Sequence, residues 1–263
     1  MDLGLKDRVA IVAASSKGLG KAVAEGLARE GAKLALCARN EATLNAAAEE
    51  IRRKTGAEVL ARALDVTQYG KVQALVKETV GRFGRVDICV ANAGGPPAKP
   101  FAETTVEDWQ AGVALNLMST VYFAREVLPV MQQQRWGRFI AITSVAVKQP
   151  IENLILSNAV RSGVSGLVKS LANEYGPHNV LVNNVCPGYT LTARLDELAG
   201  KLAAAEGVEP QKIHERWAAQ VPMRRLGRPE EFADLVVFLA SERASYINGV
   251  SIAVDGGLVK GIY

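Results

Sequence analysis

Residues that cross-link small proteins or bind metals are scarce in this sequence, which has three Cys and two His among 263 residues. Cys37, Cys89 and Cys186 lie in separate apolar runs that are typical of strands. Three cysteines so placed do not make a disulfide framework, and we predict buried thiols. No group of His, Cys and carboxylate residues has the spacing of a metal site, so no metal is expected.

Long hydrophobic runs and a strong charge imbalance are also missing. No apolar segment approaches the roughly 18 residues that a membrane helix needs. The first residues, MDLGLKDR, lack the apolar core of a signal peptide. We therefore expect a cytoplasmic protein that binds no membrane. The chain has 31 Lys and Arg against 27 Asp and Glu, a net charge of +4. Because this excess is small and the tryptophans are scattered, nucleic acid is not an expected partner.

The sequence does contain a regular alternation of short apolar runs and longer helical patterns. Predicted strands cover residues 8–14, 33–38, 58–64, 86–91, 137–143, 179–185 and 251–254. Apolar residues recur at helical spacing near 19–30, 41–55, 68–82, 104–134, 152–175 and 229–240. Strands that alternate with helices form a parallel sheet covered on both faces. The predicted fold class is α/β, a three-layer Rossmann fold with a doubly wound, seven-stranded parallel sheet.

The whole chain, residues 1–263, is predicted to form one dinucleotide-binding domain, since no linker, repeat or low-complexity segment divides it. Its composition, 49% hydrophobic and 22% charged, is that of a folded globular protein. One stretch departs from the alternation, because residues 189–228 hold two helical patterns and no strand. Open α/β sheets bind ligands beyond the carboxyl ends of their strands. An insertion after the sixth strand is therefore expected to be a helical substrate lid.

The turn between the first strand and the first helix has the composition of a dinucleotide-binding turn. It reads Ala14-Ser15-Ser16-Lys17-Gly18-Leu19-Gly20. Glycine allows the backbone to approach a pyrophosphate and the helix to pack closely on the strand. The helix N-terminus adds N–H donors and a partial positive charge. A plain packing turn would also explain a lone Gly-x-Gly, but the position between first strand and first helix favours cofactor binding.

The end of the second strand favours NADP(H) over NAD(H). An NAD-binding unit usually places an acidic residue there to hold the ribose hydroxyls. This chain has Ala38-Arg39-Asn40 instead, with no carboxylate. Arg39 can hold a 2′-phosphate by paired, charge-assisted hydrogen bonds, and Lys17 can add a second positive charge. The alternative is that both are solvated surface cations.

Further residues along the chain complete a recognisable pattern. In order they are Ala13, Ala14, Gly18, Gly20, Asp65-Val66, Ala91-Asn92-Ala93-Gly94, Asn116, Ser144, Pro187-Gly188, Thr190, Thr192 and Asp255-Gly256-Gly257. This pattern resembles the short-chain dehydrogenase/reductase family over essentially the whole chain, and in a general way its 3-oxoacyl carrier-protein reductase branch. The first turn of that family reads Thr-Gly-x-x-x-Gly-x-Gly, so Ala14 stands where the family has its first glycine.

The resemblance implies a nicotinamide cofactor, a small-molecule substrate and a reaction at a CH–OH or C=O group. The residues assigned to cofactor binding are Ser15, Ser16, Lys17, Gly18, Leu19, Gly20, Arg39, Asp65, Val66, Asn92, Ala93, Gly94, Arg161, Pro187, Gly188, Thr190 and Thr192. Tyr189 and Trp217 are candidate substrate contacts, with apolar packing in the lid as the alternative for both. The resemblance also implies a homotetramer, with a dimer as the second choice.

The family's catalytic Tyr and Lys are replaced in this chain. The family places them one helical turn apart on one helix face, and the matching positions hold Ser157 and Arg161. A Ser hydroxyl is a much weaker acid than a phenol, and Arg cannot be deprotonated to relay a proton. Arg161 can still hold ribose hydroxyls and stabilise an oxyanion. The candidate catalytic residues are therefore Asn116, Ser144, Ser157 and Arg161.

Three functions are compatible with this substitution. The favoured one is an NADP(H)-dependent oxidoreductase that transfers hydride between the nicotinamide and a carbonyl or alcohol, because hydride transfer depends strongly on positioning. The second is a non-redox lyase or isomerase on the same fold. The third is an NADP(H)-binding sensor or scaffold without turnover. Substrate identity, stereochemistry and reaction direction do not follow from the sequence.

Overall fold

A computed structural model describes residues 2–262 and contains a seven-stranded sheet in which all neighbouring strands are parallel. Its strand order is β3-β2-β1-β4-β5-β6-β7. The strands are β1 (Val9–Ala13), β2 (Lys33–Ala38), β3 (Val59–Ala63), β4 (Ile88–Ala91), β5 (Gly137–Ile142), β6 (Val180–Pro187) and β7 (Ser251–Val254). The order reverses between β1 and β4, and such a switch point opens a crevice at the carboxyl edge of the sheet.

Nine α-helices are present among residues 2–262. They are α1 (Gly18–Arg29), α2 (Glu41–Thr55), α3 (Tyr69–Phe83), α4 (Val106–Gly112), α5 (Ser119–Gln134), α6 (Ile155–Tyr175), α7 (Ala193–Glu206), α8 (Pro210–Gln220) and α9 (Pro229–Ala240). One apolar cluster joins α1, α2 and α9 to one face of the sheet, and a second joins α3, α5 and α6 to the other. The predicted three-layer, seven-stranded architecture is confirmed.

The alternation of side chains along a strand explains the two clusters. In β1, which is buried throughout, Ala10 and Val12 belong to the first cluster, whereas Ile11 and Ala13 belong to the second. Successive strand residues point to opposite faces, so a sheet covered on both sides needs a continuous apolar run. This requirement is the reason that short apolar segments predicted the strands.

The helical pattern predicted near 104–134 differs in detail from the structure. It divides into α4, a π-helical turn at Val113–Met118, and α5. A π-turn changes the direction of the side chains it carries and often lies at a functional site. Here the turn carries Asn116, which therefore leaves the regular spacing of the two flanking helices.

The insertion at 189–228 holds α7 and α8, as the two helical patterns predicted. The two helices pack on each other through a small apolar cluster that includes Leu195, Ile213 and Trp217. The two ends of the insertion are joined by backbone hydrogen bonds. The Leu191 N–H donates to the Gly227 carbonyl at 2.8 Å, and the Gly227 N–H donates to the Tyr189 carbonyl at 2.9 Å. The insertion is thus a closed unit with its own core, attached beyond β6.

No helix among residues 2–262 combines the length and the apolar character that are needed to cross a membrane.

Candidate active site at the carboxyl edge of the sheet

The first turn, Ala14 to Gly20, leads from β1 into α1 at the crevice. Gly18 has a φ of +58°, a left-handed conformation that suits glycine. A Cβ atom on Gly20 would lie 2.4 Å from the Ala14 carbonyl oxygen, so only glycine permits this approach of helix and strand. Lys17 is the N-cap of α1, and its side chain makes no capping hydrogen bond. The first N–H groups of α1 are thus available to a phosphate.

Ala14 itself has a left-handed φ of +49°. This conformation costs an L-residue such as alanine roughly 1–2 kcal/mol, and glycine adopts it freely. Alanine at the position of the family's first glycine therefore has an energetic cost in this turn. Ser15, the next residue, is fully buried and its N–H donates to the Cys37 carbonyl at 3.1 Å, which fixes the turn to β2.

We predict that Ala14→Gly stabilises the protein. Glycine removes the strain of the left-handed alanine, which stabilises the folded state, but it also raises the backbone entropy of the unfolded chain. The net result is an expected increase of about 0.5–1 kcal/mol in the free energy of unfolding. The matched control is Ala13→Gly, at a fully buried strand residue whose φ is not positive, where a loss of about 1 kcal/mol is expected. Urea unfolding of both variants measures the difference, and a less stable Ala14→Gly protein contradicts the prediction.

At the predicted adenosine end of the crevice, Lys17 and Arg39 are both exposed. Neither side chain forms an ion pair or hydrogen bond with another of residues 2–262, whereas nearby Lys21 pairs with Glu50 at 2.5 Å. After β3, the neighbour of β2 in the sheet, Asp65 accepts hydrogen bonds at one carboxylate oxygen from the N–H and hydroxyl of Thr67, at 2.9 and 2.8 Å. Its second oxygen stays available to a ligand. Val66 beside it is buried.

The loop after β4 carries Asn92, Ala93 and Gly94, and the Gly94 carbonyl is a point of convergence. The Asn116 amide donates to it at 2.7 Å, and the Arg161 guanidinium donates to it at 3.2 Å. Asn116 is 4% exposed, and its amide oxygen is buried without a hydrogen-bond partner among the described residues. A buried unpaired acceptor is costly, so this oxygen is suited to bind an ordered water or a ligand donor.

Arg161 is held entirely by backbone carbonyls. Besides Gly94, its guanidinium donates to the carbonyls of Ile142 at 3.3 Å and Thr143 at 3.1 Å, where β5 ends. No acidic side chain of residues 2–262 lies within ion-pair distance. Burial, followed by the positive charge of Arg194, lowers the pKa of Arg161 to about 10, so the group stays charged at neutral pH. Arg161 therefore joins the ends of β4 and β5 and places a positive charge beneath the crevice.

Ser144 and Ser157 supply the two hydroxyls of the predicted site. Ser144 follows β5 and accepts a hydrogen bond from the Ala146 N–H at 3.1 Å, which caps a short 3-10 turn packed against α6. Ser157 lies one turn before Arg161 on the buried face of α6. Its hydroxyl forms no hydrogen bond with any of the described residues, which leaves it available to solvent or substrate.

The segment after β6 forms the far wall of the crevice. Gly188 donates its N–H to the Val254 carbonyl at 3.0 Å, and a Cβ atom there would lie 2.7 Å from the Cβ of Asp255. Pro187 is the last residue of β6, and Thr190 is buried. Thr192 caps α7, and a Cβ atom on Gly18 would lie 3.4 Å from its methyl group. The insertion therefore begins directly opposite the glycine turn.

Tyr189 and Trp217 belong to the apolar cluster of the insertion. Their rings stack at a centroid distance of 5.1 Å, and burial raises the pKa of Tyr189. Tyr189 also borders a cavity of about 170 Å³ between the insertion, the start of α9 and the end of β7. Asn116, Ser144, Ser157 and Arg161 are not among the residues that line this cavity. Tyr189 thus borders a cavity that none of the four catalytic candidates lines.

Arg194, on the first turn of α7, lies at the crevice although its sequence pattern did not predict that position. Its guanidinium donates to the Pro96 carbonyl at 3.0 Å, on the loop after β4. The only sequence signal was its position two residues after Thr192, in a segment expected to face the nicotinamide. Arginine is common on exposed helix faces, so composition alone gave no reason to select it.

The cysteines follow the sequence prediction. All three are buried and free, and burial raises the pKa of Cys37 to about 12. These thiols are packing residues. Within residues 2–262, no three His, Cys, Asp or Glu side chains are arranged to hold a metal ion.

Comparisons with known proteins agree on one family. A profile of the family described as enoyl-(acyl carrier protein) reductase matches residues 13–259. The 3-oxoacyl-(acyl-carrier-protein) reductase of Aquifex aeolicus is 33% identical, over 98% of this chain and 100% of that protein. The 7alpha-hydroxysteroid dehydrogenase of Escherichia coli K12 is 30% identical, over 98% and 97%. The structure of L-sorbose reductase from Gluconobacter frateurii, complexed with NADPH and L-sorbose, is 35% identical, covers 100% of both chains and has a TM-score of 0.95.

Proposed function

Because this chain belongs to the short-chain dehydrogenase/reductase family, we propose that it transfers hydride between NADP(H) and a carbonyl or alcohol carbon of a small molecule. The observation that carries the proposal is the convergence of Asn116 and Arg161 on the Gly94 carbonyl, at 2.7 and 3.2 Å. It supports a set of polar groups held in fixed positions at the switch point of the sheet, where open α/β folds bind their ligands. Relatives that act on steroids and sugars leave the substrate open.

The residues of the crevice fit a phosphorylated dinucleotide. The uncapped N-terminus of α1 offers N–H donors for the pyrophosphate. Lys17 and Arg39 carry positive charges without acidic partners among residues 2–262, which suits a 2′-phosphate. Asp65 has a carboxylate oxygen available for the adenine end. When bound, NADP(H) supplies or accepts the hydride, and the NADPH complex of L-sorbose reductase supports this choice by similarity.

The proton must be handled without the family's phenol. We assign the proton transfer to a water molecule ordered by the Ser157 hydroxyl. Ser144 lies in the short turn that packs against the same helix, α6. Arg161 does not relay the proton, because a guanidinium keeps its protons at physiological pH. Its charge stabilises negative charge on the reacting oxygen, and its bonds to Ile142, Thr143 and Gly94 hold the loops that carry the site.

A titration tests the cofactor assignment. Wild-type protein is expected to bind NADPH more tightly than NADH, measured by nicotinamide fluorescence. Arg39→Ala is expected to weaken NADPH binding by about 10-fold or more and to leave NADH unchanged, because only the 2′-phosphate contact is lost. Arg53→Ala, which removes an exposed cation at the other end of α2, is the control. Equal wild-type affinities for the two nucleotides would contradict the assignment.

A turnover assay tests the reaction itself. The protein is given NADPH with a panel of ketones and aldehydes, or NADP⁺ with alcohols, and absorbance of the reduced nicotinamide is followed. Change above background supports the oxidoreductase. Binding without turnover, even in the variant with Ser157→Tyr and Arg161→Lys, favours a sensor or scaffold. Substrate consumption with no nicotinamide change favours the non-redox lyase or isomerase.

Four wider predictions, on domain organisation, assembly, location and partner, complete the proposal. We propose one dinucleotide-binding domain over residues 1–263, with the lid at about 189–228, because the lid's two ends are hydrogen-bonded to each other. We propose a homotetramer, with a dimer as the alternative, from the similarity to the family. We propose a cytoplasmic location from the composition, and a small-molecule substrate from the similarity to L-sorbose reductase.

A further inference from the structure

Arg194 spans the mouth of the crevice. It is the second residue of α7, behind the Thr192 cap, and it reaches the Pro96 carbonyl at 3.0 Å on the opposite loop. A Cβ atom on Gly95 would lie 3.5 Å from its terminal nitrogen. Gly95 is the neighbour of Gly94, on which Asn116 and Arg161 converge. A guanidinium from the lid is therefore held next to the proposed reaction centre.

Two positive charges, those of Arg194 and Arg161, lie near the Gly94–Gly95 segment. Arg194 lies close enough to Arg161 for its charge to lower the pKa of that buried group. The acid that does contact Arg194 is Glu197, at 3.2 Å, one turn along α7. Glu197 also pairs with Lys201 at 2.8 Å, so Arg194 can turn toward a ligand without leaving that carboxylate unpaired.

We propose that Arg194 is a specificity-determining residue that binds a carboxylate on the substrate, and that the substrates are small oxo acids or the corresponding hydroxy acids. This inference rests on the proposed hydride transfer. The guanidinium has more N–H donors than Pro96 and Glu197 engage, and its planar fork matches a carboxylate. An anion placed between Arg194 and Arg161 supplies the counter-charge that Arg161 lacks among the described residues, and partial burial strengthens the attraction.

Matched acid and ester probes test the inference. Acetoacetate and 4-oxopentanoate are compared with their methyl esters as substrates with NADPH. Wild-type protein is expected to favour the acids in kcat/KM, by about 10- to 100-fold, the size of one charge-assisted contact. Arg194→Met is expected to abolish that preference while the Kd for NADPH stays unchanged. Lys201→Met removes a cation from the same helix away from the Pro96 loop, and is expected to keep the preference.

Four results would overturn the inference. The first is equal use of acids and esters by wild-type protein. The second is an equal loss for both in Arg194→Met. The third is a raised Kd for NADPH in that variant, which would assign Arg194 to the cofactor. A preference for a phosphate ester such as dihydroxyacetone phosphate over the carboxylates would also overturn it, because the anion would then be different.

A binding measurement separates this inference from the proposed reaction. Calorimetry of acetoacetate and its methyl ester is carried out on the protein with saturating NADP⁺, where no reduction occurs. If the protein binds the acid, loses that binding in Arg194→Met and oxidises no NADPH, the result supports anion recognition and contradicts the oxidoreductase. Turnover of uncharged ketones with no binding preference for the acid contradicts anion recognition and leaves the oxidoreductase standing. Absence of binding by both probes overturns the inference as well.

Discussion

Gly20→Ala is expected to weaken NADPH binding by roughly 100-fold or more. The added Cβ atom would lie 2.4 Å from the Ala14 carbonyl oxygen and 2.9 Å from the Ala14 carbonyl carbon. Both are backbone atoms of the turn, so no side chain can rotate away. The start of α1 must move from β1 by on the order of 1 Å, and a displacement of that size in a positioned site costs about 10²-fold. The same overpacking lowers the free energy of unfolding by about 1–3 kcal/mol.

Gly81→Ala is the control for this variant. Gly81 lies in α3, is exposed, and has no atom within 4 Å of the position of an added Cβ. Alanine there is expected to raise stability by about 0.5–1 kcal/mol through helix propensity and to leave nucleotide binding unchanged. Thermal unfolding and a fluorescence titration with NADPH measure both quantities. A Gly20→Ala protein whose Kd stays within about threefold of wild type would show that the turn does not bind the cofactor.

Asp87→Ala is expected to lower the free energy of unfolding by about 3–5 kcal/mol. This fully buried carboxylate lies just before β4, at the amino edge of the sheet. It accepts hydrogen bonds from Arg85 at 2.6 and 2.7 Å, from Arg8 at 3.1 Å and from the Val9 N–H at 2.9 Å. Its removal leaves a buried N–H and two cations without that acceptor, and an unpaired buried donor is costly.

Two comparisons separate this effect from a general loss of charge. Glu58→Ala removes an exposed acid whose one ion pair within residues 2–262 is with Lys33, at 2.9 Å, and is expected to cost less than about 1 kcal/mol. Because Asp87 lies at the edge opposite the crevice, NADPH affinity measured well below the melting temperature should be unchanged. Guanidinium unfolding of both variants is the measurement, and a cost for Asp87→Ala no larger than that of Glu58→Ala would contradict the prediction.

The secondary structure was predictable where a local signal, such as a helix cap, a terminal glycine or a short apolar run, determines where an element begins and ends. The predicted elements 33–38, 41–55, 229–240 and 251–254 coincide with β2, α2, α9 and β7. In α2, for example, Asn40 caps the start, accepting from the Thr43 N–H, and Gly56 ends the helix in a left-handed conformation. The stretch near 104–134 differed because a π-turn at Val113–Met118 preserves apolar spacing while it shifts the helix phase. Spacing alone does not reveal such a turn.

By itself, the sequence determined the layered α/β architecture, the position of the glycine turn, and the cations in that turn and just after β2. It also places Ser157 and Arg161 one helical turn apart, at the positions predicted for the family's Tyr and Lys. These depend on residue type and short-range spacing. Only the tertiary structure decided what those side chains contact. Arg161 meets Gly94 from 67 positions along the chain, and Arg194 meets Pro96 from 98 positions away. Contacts between residues so far apart in sequence depend on which loops lie together at one edge of the sheet. The hydrophobic periodicity of the sequence does not determine which loops these are.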